Sequence, residues 1–175
     1  MSNYLVISAV GEDRPGIVKD ISKFILDNDG NIVESRMTVL GGEFALMMLV
    51  SGSDATVEAL ENKAKVTAEA LGLTLITKGT GPRGTQQKRL PYLAQVVAMD
   101  HPGIVHVVTD FFAQKNINIE ELITNSYAAA HTGTPMFSLQ LNLGVSAEMN
   151  IGGLRSDFVE FCDALNLDGS IEAFK

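Results

Sequence analysis

The chain has one cysteine, Cys162, which excludes an intrachain disulfide and any cysteine-rich zinc site. Cys162 lies in an apolar helical stretch, where a free thiol serves as a small core hydrophobe. Basic residues are scarce as well. Thirteen Lys and Arg stand against 21 Asp and Glu, a formal net charge of -8, so the basic stripe of a direct nucleic-acid binder is missing. The acidic excess is spread over both halves, forms no tail and reads as a solubility feature. No apolar run approaches ~20 residues, so no membrane span is expected. The opening "MSNYLVISAV" lacks the basic segment of a signal peptide, and the expected location is the cytoplasm.

Catalytic sets are absent too. There is no G-x-S-x-G elbow, and no pair of carboxylates stands out from a solvated surface. His101 and His106 are five apart across a helix start, which places them on different faces. With His131 they find no Glu or Cys to complete a ligand set, so no metal, cofactor or enzymatic activity is expected. "GTGPRG" at 79–84 satisfies G-x-G-x-x-G. Pro82 interrupts it, however, and the polar "TQQKR" that follows carries no apolar helical stripe, so it reads as linker rather than dinucleotide fingerprint.

What is present is a repeat. Residues 13–34, shifted by 87, align with 100–121 at nine identical positions out of 22. The matches are Asp13/Asp100, Pro15/Pro102, Gly16/Gly103, Ile17/Ile104, Val18/Val105, Phe24/Phe111, Asn31/Asn118, Ile32/Ile119 and Glu34/Glu121. Each copy reads as strand, helix, strand, strand, helix, strand. In the first, Ile17, Val18, Ile21, Phe24 and Ile25 line one helix face, and Gly30 suits a left-handed C-terminal position. Gly41-Gly42 marks a hairpin. Ser53 or Asp54 can cap a second helix carrying Val57, Leu60, Ala64 and Leu71, closed by Gly72. In the second copy the stripes are Ile104, Val105, Val108, Phe111 and Phe112, then Ile151, Leu154, Phe158, Phe161 and Leu165.

A βαββαβ unit of about 80 residues matches the ferredoxin-like split βαβ motif, an α+β fold with an antiparallel sheet covered by helices on one face. The organisation is therefore domain 1 at 1–79, a linker at 80–90 and domain 2 at 91–175. Units this small bury their apolar surface poorly alone, so the copies are expected to pack together.

The turn "DRPGIV" and its echo "DHPGIV" are the candidate site. Pro15 fits the first turn of a helix, Asp13 can cap it, and Gly16 admits a close backbone or ligand. The helix start also favours a carboxylate. Asn31 and Asn118 recur just before the second strand, where an Asn can adopt a turn conformation or bond both ends of an amino acid. A well-capped strand-to-helix turn would use almost the same residues.

With "NI" 18 residues after each Asp, these motifs resemble the ACT domain, a ferredoxin-like regulatory module, over essentially the whole chain as a tandem pair. "NIVESRMTVLGGEFALMMLVSG" is similar to the first repeat of the glycine cleavage system transcriptional repressor family, two-ACT proteins without a DNA-binding domain. The resemblance implies an amino-acid ligand at Asp13, Arg14, Pro15, Gly16, Ile17 and Asn31, and at Asp100, His101, Pro102, Gly103, Ile104 and Asn118. Some serine-binding relatives have a His two residues before the Asp; here Gly11 and Ala98 stand there. The resemblance further implies a homo-oligomer that binds a transcriptional activator, with glycine or another small amino acid as effector. Alternatives are a detached regulatory subunit of an amino-acid or one-carbon enzyme, and a ligand-free dimerisation module. "AAAHTGTP" lengthens the second hairpin, which favours copy one as the keeper of the family geometry.

Overall fold

A computed structural model describes residues 3–81 and 89–174. The chain divides into two compact units, Met1–Gly84 and Thr85–Lys175. The first runs β1 (Asn3–Glu12), α1 (Ile17–Leu26), β2 (Asn31–Leu40), β3 (Glu43–Gly52), α2 (Asp54–Leu71) and β4 (Leu73–Thr80). The second repeats the order as β5 (Arg89–Met99), α3 (Ile104–Gln114), β6 (Asn118–Ala128), β7 (Pro135–Ser146), α4 (Ile151–Ala164) and β8 (Asp168–Ala173). Of the sequence-expected linker, residues 82–88 lie outside the described residues, and with them the second half of "GTGPRG". Thr80 belongs to β4, and Arg89 and Leu90 to β5. Among the described residues no helix is long and apolar enough to cross a membrane.

Each unit holds one four-stranded sheet, ordered β2-β3-β1-β4 and β6-β7-β5-β8, with every pairing antiparallel. Alternation decides which face is covered. Leu5, Ile7 and Ala9 of β1 and Phe44, Leu46, Met48 and Val50 of β3 are buried together with Ile17, Ile21, Phe24 and Ile25 of α1 and Leu60 of α2. The second unit buries Ala94, Val96 and Ala98 of β5 and Leu139, Leu141, Leu143 and Val145 of β7 against Ile104, Val108 and Phe112 of α3 and Leu154 and Phe158 of α4. Its core is more aromatic. Phe111, Phe112, Phe158 and Phe161 form a ring cluster with neighbouring centroids 4.8–5.2 Å apart along Phe161–Phe111–Phe112–Phe158. The apolar stripes are one residue narrower than the sequence suggests, because Val18 and Val105 follow the buried Ile17 and Ile104 onto the flank and are more than a third exposed.

Helix ends follow local chemistry. The Ser53 hydroxyl accepts from the Thr56 N–H at 3.1 Å and so caps α2, and Gly72 closes it at φ 69°. After α1, however, the left-handed residue is Asp29 (φ 58°), matched by Asn116 and Asn166 after α3 and α4. Gly30 is needed for another reason. A Cβ there would lie 2.8 Å from Ile25 Cγ2 and 3.1 Å from Val50 Cγ1, so the helix end and β3 close over a bare backbone.

Candidate functional site

Both copies of the duplicated motif form the connection from the first strand to the first helix. In copy one the Ile17 N–H donates to the Arg14 carbonyl at 3.4 Å, and Gly16 has φ 89° and ψ -5°. Those angles, with Pro at the second position and Gly at the third, define a type II β-turn. Gly103 repeats them at φ 100° and ψ -12°, after Pro102. Gly16 and Gly103 are themselves the N-cap residues, and no side chain caps either helix. Pro15 therefore precedes α1, and Asp13 does not cap it. In sequence the proline passes for a helical first residue because a type II turn and a helix start make the same demand on its φ.

Asp13 and Asp100 are anchored through their backbones instead. Their N–H groups donate to the Gly42 carbonyl at 3.2 Å and the Pro135 carbonyl at 2.9 Å, tying each turn to the neighbouring hairpin. Both aspartates are exposed. A Cβ added to Gly16 or Gly103 would meet nothing within 4 Å, so the positive φ, not a close neighbour in the chain, requires glycine there.

The two turns differ in their charges. In copy one Arg14 is bound to Asp20, in the first turn of α1, at 2.9 Å. The corresponding positions in copy two are His101 and Val107, and the first turn of α3 carries no acid. His101 Nδ1 lies 3.1 Å from the Pro102 carbonyl. Lys19 is replaced by His106.

An open depression of about 800 Å³ lies over the turn of copy two, lined by Asp100, His101, Pro102, Gly103, Ile104, Val105 and His106, with Pro135 and Phe137 opposite. It thus gathers every expected copy-two residue except Asn118. His101 and His106 line the same depression, although five residues of helix would have separated them; His101 lies in the turn, where helical periodicity does not apply. Sequence reasoning misses Pro135 and Phe137. The available signal is the strict alternation of β7, since Phe137 continues the inward-facing row Leu139, Leu141, Leu143 to the strand end beside the turn. Both wall residues belong to β7 rather than to the lengthened loop: Phe137 pairs with Ala98 as Phe44 pairs with Gly11 in copy one.

Asn31 and Asn118 stand elsewhere. Asn31 opens β2 opposite Ser51, which pairs with Tyr4 at the start of β1, whereas the turn follows Glu12 at its end. Eight strand residues span about 26 Å. Asn118, opposite Gly144 and so level with Pro91, is equally remote from the turn after Met99. Within one unit the asparagine and its turn therefore lie at opposite ends of the sheet. Other chemistry-bearing residues form no centre: among the described residues no group of three or more His, Cys, Asp or Glu is placed to hold a metal ion. The Cys162 thiol is buried and pushed up to about 11, first by that burial and then by Asp163 and Asp168.

A model of the ACT domain matches residues 3–78. The glycine cleavage system transcriptional repressor of Escherichia coli (strain K12) is 31% identical over 169 residues, covering 97% of this chain and 89% of the relative. The chain belongs to that family. A crystal structure described as a candidate glycine cleavage system transcriptional repressor has TM-score 0.78 and 29% identity, covering 100% of this chain and 99% of that one. A protein of unknown function from Galdieria sulphuraria has TM-score 0.80 and 26% identity over 100% of both chains. The family is thus one of tandem ACT proteins, and the repeat read from the residues is its two-domain plan.

Proposed function

We propose that the protein is a non-enzymatic regulator that binds a small amino acid, glycine foremost, at the turn of its second repeat. It would transmit occupancy to a DNA-binding transcriptional activator by contacting that protein rather than DNA. The observation that carries the reading is the depression over Asp100–His106, in which the duplicated turn meets the wall of Pro135 and Phe137. An amino acid needs a partner for each end. The first amides of α3, with no acid in the helix's first turn, suit the α-carboxylate. Asp100 at the rim suits the ammonium. In copy one, Asp20 already places a carboxylate at the corresponding helix start, held by Arg14, which disfavours a second anion there.

The relative of known name is a transcriptional repressor, and this chain's net charge of -8 is unsuited to a polyanion. Action through a protein partner meets both facts. Linkage then sets the requirement: the effector must prefer one state of the complex, and a preference of about 1–3 kcal/mol changes partner affinity ~5–150-fold.

Isothermal titration of the full chain with glycine, then with the other amino acids, tests the site. Binding is expected in the wild type, weakened at least tenfold by Asp100→Asn and unchanged by Asp20→Asn. Absence of binding by any amino acid at millimolar concentration would remove the sensing function. Loss of binding in Asp20→Asn alone would move the site to the first repeat.

A further inference from the structure

The helices cover one face of each sheet, and the two uncovered faces differ in kind. Across β8, β5 and β7 the second unit sets Ser170, Gln95 and Gln140 side by side. At the same places β4, β1 and β3 of the first unit carry Ile76, Ser8 and Met47. One row on, Asp168 and Ser138 flank Val97, where Thr74 and Ala45 flank Val10. The shared fold accepts apolar residues at these positions, so it does not impose the polar ones. Aspartate is moreover among the residues depleted in strands.

Gln95, Val97, Ser138, Gln140, Asp168 and Ser170 line a depression of about 230 Å³. Its chemistry is one-sided. Asp168 is the charge in it, and no lysine or arginine lines it. Neither the Asp168 carboxylate nor the carboxamides of Gln95 and Gln140 have a side-chain partner among the described residues. A carboxylate and two amide carbonyls are therefore open to accept hydrogen bonds, with the apolar Val97 between Asp168 and Ser138.

A guanidinium matches that set. It is planar, binds a carboxylate through two parallel N–H bonds and keeps further donors for carbonyls. An ammonium is a point charge with no face to lay on Val97. Arginine is also enriched among the residues that anchor protein interfaces. We infer that this depression is a docking site for an arginine side chain of a protein partner, with Asp168 as its anion, Gln95 and Gln140 as acceptors and Val97 beneath the guanidinium plane. The occupant rests on the reading that the chain acts through a protein partner. The site itself shares no residue with the depression over Asp100–His106.

Nuclear magnetic resonance titration of the full chain with the blocked tripeptide acetyl-Gly-Arg-Gly-amide tests the inference. Saturable shifts are expected in the side-chain amide signals of Gln95 and Gln140. The dissociation constant should rise at least tenfold in Asp168→Asn. It should rise at least threefold in Gln140→Met, which installs the residue of the first copy. The corresponding lysine tripeptide should bind at least threefold more weakly than the arginine one. Asp100→Asn should leave peptide binding unchanged, so failure of the effector site and failure of this site show in different variants. No saturable shift, equal binding of the lysine peptide or an unaltered constant in Asp168→Asn would overturn the proposal. So would free arginine binding more tightly than the blocked peptide, the result expected if the site takes a metabolite instead of a protein segment.

Discussion

Replacing Gly103 isolates the physical demand of the duplicated turn. At φ 100° a side chain is strained by its own backbone, and a Cβ there touches nothing within 4 Å. The cost is therefore conformational and not one of packing. A left-handed residue costs an L-amino acid about 1–2 kcal/mol, of which a glycine-to-alanine change returns ~0.4–1 kcal/mol by stiffening the unfolded chain. Gly103→Ala should thus destabilise the second unit by about 1 kcal/mol. Gly103→Asn should cost less, since Asn tolerates the left-handed region, and Gly103→Val more, since a β-branched residue there is an outlier. With a urea slope of roughly 1–3 kcal/mol/M, the alanine midpoint moves down by about 0.3–1 M. The same order should hold at Gly16, φ 89°. At Gly30 it should invert, with Asn worse than Ala, because there the obstacle is Ile25 and Val50. Urea unfolding of the nine variants reads both orders. A Gly103→Val variant as stable as Gly103→Ala, or the same order at all three glycines, would refute the assignment of the turn.

Two further outcomes concern the second core. Gly169 faces α4 so closely that an added Cβ would lie 2.3 Å from Cys162 Sγ and 3.1 Å from Phe158 Cε1; Gly169→Ala should therefore cost ~1–3 kcal/mol. Combining it with Cys162→Ala, which removes the sulfur, should recover part of that loss in a calorimetric double-mutant cycle, and strict additivity would show that the strand moves away instead. The Cys162 thiol ionises near 9.0 when unfolded and near 11 in the fold, raised by burial and then by Asp163 and Asp168. The folded chain then keeps a proton that the unfolded chain loses, so this contribution is whole below pH 9 and falls as pH rises towards 11. The loss, about 2–3 kcal/mol when complete, should flatten in Cys162→Ala when unfolding is compared at pH 8 and pH 10.5. Parallel pH profiles would mean that the thiol reaches water.

Much of the fold was legible because periodicity reports burial directly. Ile17, Ile21, Phe24 and Ile25 recur at helical spacing and are the buried face of α1. Leu139, Leu141 and Leu143 alternate and are buried in β7. The site was legible only as residue types. Pro15-Gly16 satisfies a helix start and a type II turn equally well, and the sign of the glycine φ distinguishes them. Gly30 signalled a left-handed cap, but Asp29 takes that conformation because its short polar side chain tolerates it, leaving Gly30 to the close approach of Ile25.

The order of residues alone determined that the chain is two copies of one βαββαβ unit, since nine identities at a constant shift of 87 need no geometry to be seen. It determined also which faces are apolar, because side-chain direction follows chain position within a helix or strand. Tertiary structure decided what lies beside the duplicated turn. Phe137 and Pro135, at least 29 positions away in the chain, reach Asp100–His106 because β7 pairs with β5 in one register. Asn31, only 18 positions from Asp13, is carried to the far end of the sheet by the length of α1 and the direction of β2. Distance along the chain says little about distance in space once strands pair antiparallel, and pairing register is a property of the whole sheet.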